Sequence, residues 1–175
     1  MKNIFLTLSL LFATALSAQV AIGKTSISSP AVSLEFYDNA DNTRGIILPW
    51  VTNTAAVTGA VNGTLVYNTA DKKIYVKYAS GWRDLSVDNT GTVTTTLQDS
   101  LTDQDTAKVL IGGDPATDTT PGILVLADTN KAMVLPKVAS PHLNIVNPSP
   151  GMMVYDTTKK QLAVFNGTVW SFWKP

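Results

Sequence analysis

An internal duplication constrains this chain more than any other feature of its sequence. Residues 63–69 (GTLVYNT) recur as residues 151–157 (GMMVYDT), 88 positions further on, and the same spacing carries Trp82 onto Trp170. Two upstream blocks match in the same order, residues 44–51 (RGIILPWV) with 131–138 (KAMVLPKV) and residues 20–23 (VAIG) with 109–112 (VLIG). Three matching blocks in one order predict two copies of a single structural unit.

Each copy has the pattern of short β-strands separated by turns. The predicted strands are rich in β-branched and aromatic residues and end at Asp, Asn, Gly or Pro. They are residues 32–37, 45–48, 64–68 and 74–78 in the first copy, and residues 123–127, 132–135, 152–156 and 162–165 in the second. The prediction is an all-β fold with two tandem hairpin-rich repeats, residues 19–85 and 109–175. A polar linker, residues 86–108, joins them, with a helical turn over residues 94–101.

The first 18 residues have the features of a cleaved signal peptide. Lys2 is followed by an apolar run over residues 4–13 and by small residues up to Ala18, the usual order for an export signal. Cleavage is expected after Ser17 or Ala18. The apolar run is too short to span roughly 30 Å of hydrocarbon, so no membrane span is predicted. We expect an exported protein, extracellular or at the cell surface, with the periplasm as the alternative.

Composition excludes several classes of function. The chain has 13 basic and 13 acidic residues, without the basic clusters that contact phosphate backbones, so no nucleic-acid partner is expected. It has no cysteine and a single histidine, His142, which argues against a zinc site and against nucleophilic catalysis. The Asp- and Asn-rich segments lack the spacing of a calcium loop and suit turns better. We therefore expect no enzyme, no cofactor and no metal.

Aromatic residues are the remaining candidates for a functional site. Tyr67 and Trp82 have exact counterparts in the second repeat, Tyr155 and Trp170, so all four are expected to be structural, with both tryptophans closing the core of their repeat. Trp50 and Trp173 lack a tryptophan counterpart and are the better candidates for a contact surface.

The same residues carry a family resemblance. The run from Gly63 to Thr69, the Lys-rich turn, the following strand and Gly81-Trp82 resemble a module of secreted surface proteins of Bacteroidota and segments of tail-fibre-like proteins. The resemblance implies a structural or adhesive part of an extracellular fibre, acting through protein–protein assembly, and it brings no catalytic residues.

Self-association follows from the small size of the repeats. A unit of this size buries a low fraction of its surface, and here no disulfide supplements it. Apolar runs such as residues 46–48, 133–135 and 152–154 indicate strands buried on both faces. Either the two repeats pack on each other in a monomer, or chains assemble with themselves, as a parallel homotrimer by the tail-fibre resemblance, or with a larger surface or fibre protein. The alternative function is a small carbohydrate-binding module in which tryptophans stack on glycans.

Overall fold

A computed structural model describes residues 19–102, 104 and 106–174 of the chain. The predicted signal peptide, residues 1–18, lies outside the described residues. The prediction of an all-β fold is confirmed: apart from one 3-10 turn, Thr54–Ala56, and one short helix, α1 (Pro141–Asn144), the regular elements are strands. Within the described residues no helix is long and apolar enough to cross a membrane.

Fourteen short strands are described, and they follow the predicted duplication. The first repeat contains β1 (Val20–Ile22), β2 (Val32–Phe36), β3 (Ile46–Ile47), β4 (Trp50–Val51), β5 (Leu65–Asn68), β6 (Lys73–Tyr78) and β7 (Gly81–Asp84). The second contains β8 (Val109–Ile111), β9 (Leu124–Leu126), β10 (Ala132–Val134), β11 (Lys137–Val138), β12 (Met152–Asp156), β13 (Gln161–Phe165) and β14 (Trp170–Trp173).

The strand registers of the two repeats agree residue by residue. In the first hairpin Tyr67 lies opposite Ile74, and 88 residues later Tyr155 lies opposite Leu162. Each hairpin turns through a lysine with positive φ, 60° at Lys72 and 54° at Lys160, where L-residues are uncommon. The two tandem copies predicted from the sequence are therefore present as structure.

Each hairpin is extended in the same way on both sides. A third antiparallel strand follows it, β7 beside β6 and β14 beside β13. A two-residue parallel strand precedes it, β4 beside β5 and β11 beside β12. These parallel strands begin directly after Pro49 and Pro136, whose carbonyls each accept a hydrogen bond of 2.9 Å from the amide of the hairpin tyrosine. Proline can supply this acceptor although it has no N–H to donate.

The repeats differ in what covers the outer face of the hairpin. In the second repeat, α1 and Ile145 cover an apolar core that contains Val138, Met152, Val154, Ala163 and Phe165. In the first repeat, Tyr75, Lys77 and Asp84 stand at the positions of Ala163, Phe165 and Phe172. This face is polar in the first repeat because its side chains satisfy one another, with Lys73 bonded to Asp84 at 2.6 Å and Tyr75 to Asp71 at 2.6 Å.

Residues 86–93 cross from the first repeat onto the last turn of the second. The Val87 amide donates to Ser171 Oγ at 3.1 Å, and Asn166 Nδ2 donates to the carbonyl of Asp88 at 3.2 Å. Thr168 Oγ1 donates to the carbonyl of Thr90 at 3.0 Å. Further along, residues 95–101 form hydrogen-bonded turns. Leu97 and Leu101, whose i,i+4 spacing suggested the helical turn over residues 94–101, are 82% and 71% exposed.

Candidate assembly interface

The two repeats pack on each other through the same sheet face of each, but at different positions along the strands. The first repeat contributes a surface that we call its tyrosine face, formed by Leu48, Tyr67 and Ile74. The second contributes a surface that we call its glycine face, formed by Gly151, Met153, Val164 and Asn166. Leu48, Tyr67, Ile74, Met153 and Val164 form one buried apolar cluster that includes members of both repeats. Burying apolar area in this way is the main favourable contribution to packing.

Tyr67 lies at the centre of this contact. Its side chain is fully buried, and its hydroxyl donates a hydrogen bond of 2.8 Å to the carbonyl of Asn166 in the other repeat. Burial, with a smaller contribution from the negative charge of Asp71, raises the pKa of Tyr67 to about 12. The hydroxyl therefore stays protonated and able to donate at any physiological pH.

Gly151 leaves the space that the tyrosine ring occupies. A Cβ atom at Gly151 would lie 2.9 Å from Tyr67 Cβ and 3.1 Å from Tyr67 Cγ, and the residue has a φ of +80°. Glycine is required here both for the close approach and for the left-handed backbone. Beside it, Trp50 Nε1 donates to the carbonyl of Pro150 at 2.9 Å, and the Trp50 ring is tilted against that of Tyr67 with centroids 6.1 Å apart.

Strand pairing reinforces the contact between the repeats at two places. Strand β3 of the first repeat pairs antiparallel with β12 of the second, with Ile46 opposite Met153 and Ile47 opposite Met152. Strand β10 of the second repeat adds in parallel to β2 of the first. These exchanges satisfy backbone groups that a lone repeat would leave unpaired at its sheet edges.

A charged group lies beside the second of these pairings. Lys24 Nζ contacts Glu35 Oε1 at 2.8 Å and Asp38 Oδ1 at 3.1 Å, while Lys137 of the second repeat contacts Asp38 Oδ2 at 3.2 Å. Burial by itself would raise the pKa of Glu35, but hydrogen bonds from Lys24 and from the Ser28 amide outweigh it and hold that pKa below its usual value. The sole glutamate of the chain is thus a buried, ionised partner of Lys24 and acts structurally.

Asp156 holds the turn of the second hairpin, together with the loop at Ser140, in the same manner. Its Oδ1 accepts hydrogen bonds from the amides of Ser140, Thr158 and Lys159, at 3.1, 2.9 and 3.3 Å, and its Oδ2 accepts one from Gln161. Burial would raise the pKa of Asp156, and these donors outweigh it and lower the pKa. The first repeat has Asn68 at this place, where one amide, that of Ala70, is bonded at 2.9 Å.

The structure places the six aromatic residues singled out from the sequence in different environments. Tyr67 is fully buried, whereas Tyr155, Trp82 and Trp170 are half-buried. Trp170 packs on the core of its own repeat, with its ring centroid 5.3 Å from that of Phe165.

The two candidate contact residues, Trp50 and Trp173, both reach between the repeats. Trp50 bonds to Pro150, and Trp173 Nε1 donates to the carbonyl of Leu85 while its ring lies 5.5 Å from the Arg83 guanidinium. The assignment of either to a surface for another molecule stays a prediction.

The glycine face was not predicted from the sequence. Its signal was present, because Gly63 and Gly151 open the duplicated block GxxVY[ND]T, and a glycine retained in both copies points to a close backbone approach or a positive φ. Within the described residues no three His, Cys, Asp or Glu side chains come together as a metal site. His142 is exposed and meets the edge of Phe172, with centroids 5.7 Å apart.

Comparison with known proteins gives one match. Residues 114–174, the greater part of the second repeat, match a family described as phage tail like trimerisation region. No curated protein and no solved structure matches the chain. The match makes the second repeat similar to a trimerisation region of a tail-fibre-like β protein, and it supports a structural role in which copies of the chain associate.

Proposed function

We propose that this chain is a non-catalytic structural component that assembles with copies of itself, as a homotrimer, into a fibre-like body outside the cell. The observation that carries the proposal is the match of residues 114–174 to a phage tail like trimerisation region. The second repeat supplies a suitable surface. Leu135, Tyr155, Leu162 and Trp173 line a shallow depression of about 460 Å³ that the described part of the chain leaves open.

Light scattering coupled to size exclusion tests the proposal directly. The protein lacking residues 1–18 is expected to elute with the mass of three chains at micromolar concentration. A mass of one chain, unchanged up to the highest soluble concentration, would refute self-assembly and leave the packed pair of repeats as the complete folded unit.

Export is the second part of the proposal, and residues 1–18 support it. Intact-mass spectrometry of the protein from its native host is expected to give a chain that begins at Ala18 or Gln19. A mass that still includes residues 1–18 would contradict export by a cleaved signal.

A further inference from the structure

The contact between the repeats is directional, and it leaves one copy of each face only partly buried. The tyrosine face of the first repeat meets the glycine face of the second, and a two-fold relation would also join the opposite pair. It does not: within the described part of the chain β10 pairs with β2 and makes no pairing with β5. The second repeat's tyrosine face is Leu135, Tyr155 and Leu162, and the first repeat's glycine face is Gly63, Leu65, Val76 and Tyr78. Leu65, Leu135 and Leu162 reach only the margin of the shared cluster and are half-buried. A head-to-tail contact of this kind can be repeated by further copies.

Burial differs between the used and unused faces position by position. On the tyrosine faces, Tyr67 and Ile74 are fully buried, and their counterparts Tyr155 and Leu162 are half-buried. On the glycine faces the same difference holds for three pairs: Met153 and Leu65, Val164 and Val76, and Asn166 and Tyr78. Tyr78 is 46% exposed, whereas Asn166 is 1% exposed.

Gly63 is the position where the first repeat's glycine face is most clearly uncovered within the described residues. It has a φ of +89°, close to the +80° of Gly151, yet no described atom lies within 4 Å of the place where its Cβ would stand. The backbone is therefore shaped to receive a tyrosine ring, as Gly151 receives Tyr67. Gly81 also combines a positive φ with open space, so what distinguishes Gly63 is that it stands at the place of Gly151 in the duplicated block.

Strand edges are available at the same two surfaces. Ile46 pairs with Met153, and Ile47 pairs with Met152. By the duplication, the equivalent positions are Met133 with Leu65 and Val134 with Thr64, which another chain would have to bring together. Strand β10 is the end strand of its sheet, and β5 pairs with β4 only through Tyr67 and Asn68. Both edges therefore have backbone groups that another strand can pair with.

We propose that the tyrosine face of the second repeat binds the glycine face of the first repeat in another copy of this chain, reproducing between chains the contact that already exists within one. Tyr155 then packs on Gly63 of the next copy. Its hydroxyl donates a hydrogen bond to the carbonyl of Tyr78 there, as the Tyr67 hydroxyl does to the carbonyl of Asn166. The inference rests on the proposed self-assembly and names its surfaces. Every chain carries one face of each kind, so three chains that close a ring leave neither face open.

Disulfide trapping tests this geometry in a chain that has no cysteine of its own. The double variant Leu65→Cys, Met133→Cys is expected to form covalent dimers and trimers on mild oxidation, because paired strand positions bring Cβ atoms to about 4.5–5.5 Å. The matched double variant Ile46→Cys, Met153→Cys is expected to close its disulfide within one chain and to run as a monomer on a non-reducing gel.

The outcomes separate the inference from the proposal on which it rests. If light scattering gives trimers but Leu65→Cys, Met133→Cys yields no more covalent oligomer than either single variant, the interface is wrong and self-assembly stands. If light scattering gives monomers, the proposed self-assembly and the proposed interface are both wrong. Covalent oligomers from the double variant alone support both.

A glycine variant provides a second measurement that does not depend on oxidation. Gly63→Ala adds a methyl group to open space within the chain, but in the docked pair that group meets Tyr155 as a Cβ at Gly151 would meet Tyr67. We expect its dissociation constant for assembly to rise at least about tenfold. Gly81→Ala is the control, since Gly81 also has a positive φ and open space, and the second repeat carries Val169 at its place. Equal assembly by both variants would overturn the inference.

Discussion

Removing one buried hydroxyl tests the packing of the two repeats. Tyr67→Phe keeps the ring that fills the cluster and deletes only the group that donates to the Asn166 carbonyl at 2.8 Å. Both residues are at most 1% exposed, so water does not replace the lost donor. An unsatisfied buried acceptor costs about 1–3 kcal/mol, and we expect the free energy of unfolding to fall by that amount at pH 7.

The raised pKa gives the same variant a second signature. The pKa of Tyr67 is about 12 in the folded chain and about 10 when unfolded. The contribution of the neutral phenol is therefore complete below pH 10 and is lost as the pH rises toward 12. Roughly two pKa units correspond to about 3 kcal/mol. The stability advantage of the natural chain over Tyr67→Phe should shrink or reverse across that window.

Urea unfolding followed by tryptophan fluorescence measures both effects, with Tyr37→Phe as the control. The Tyr37 hydroxyl bonds to Asp41 at 2.9 Å at an exposed site within one repeat, so its removal should change stability by less than about 0.5 kcal/mol. Equal unfolding midpoints for the two variants at pH 7, or a gap between natural chain and Tyr67→Phe that does not change from pH 9 to pH 12, would refute the buried contact.

Two further predictions concern single positions. Gly151→Ala should destabilise the chain by about 1–3 kcal/mol more than Gly63→Ala, because both variants strain a positive φ but only Gly151→Ala drives a methyl group into Tyr67. Urea unfolding midpoints decide this when both variants are made in a Tyr155→Ala background, where chain association contributes to neither. Equal midpoints would contradict the prediction. Asp156→Asn should lower the free energy of unfolding by about 1–2 kcal/mol at pH 7. Because the pKa of Asp156 is lowered on folding, the natural chain should lose this stability advantage over Asp156→Asn as the pH falls below about 4. A stability advantage that persists down to pH 2 would argue against an ionised Asp156.

Much of the fold could be predicted from local sequence. Strand positions followed from β-forming residues bounded by turn residues, and the hairpin strand predicted over residues 152–156 is β12 as it stands in the structure. The short parallel strand before each hairpin was missed. Two residues such as Trp50 and Val51 are too few for a recognisable pattern, and their pairing depends on residues that lie much further along the chain.

The candidate interface was predictable only in part. The apolar run over residues 152–154 correctly indicated a strand covered on both sides, whereas in the run over residues 46–48 Ile47 is 51% exposed. The two runs pair with each other as β3 and β12. The alternatives of packing within the chain and assembly between chains could not be separated. Periodicity shows that a face is apolar, but it does not show which face covers it.

The sequence by itself determined that the chain is a duplicated all-β protein, because the duplication and the turn chemistry are local properties of the residues. The tertiary structure alone decided that identical positions differ in role. Tyr67 and Tyr155 stand in matching strands with the same register, yet one is fully buried and the other half-buried. The physical reason is the directional contact: two copies joined head to tail bury one tyrosine face and one glycine face fully and leave the remaining pair half-buried.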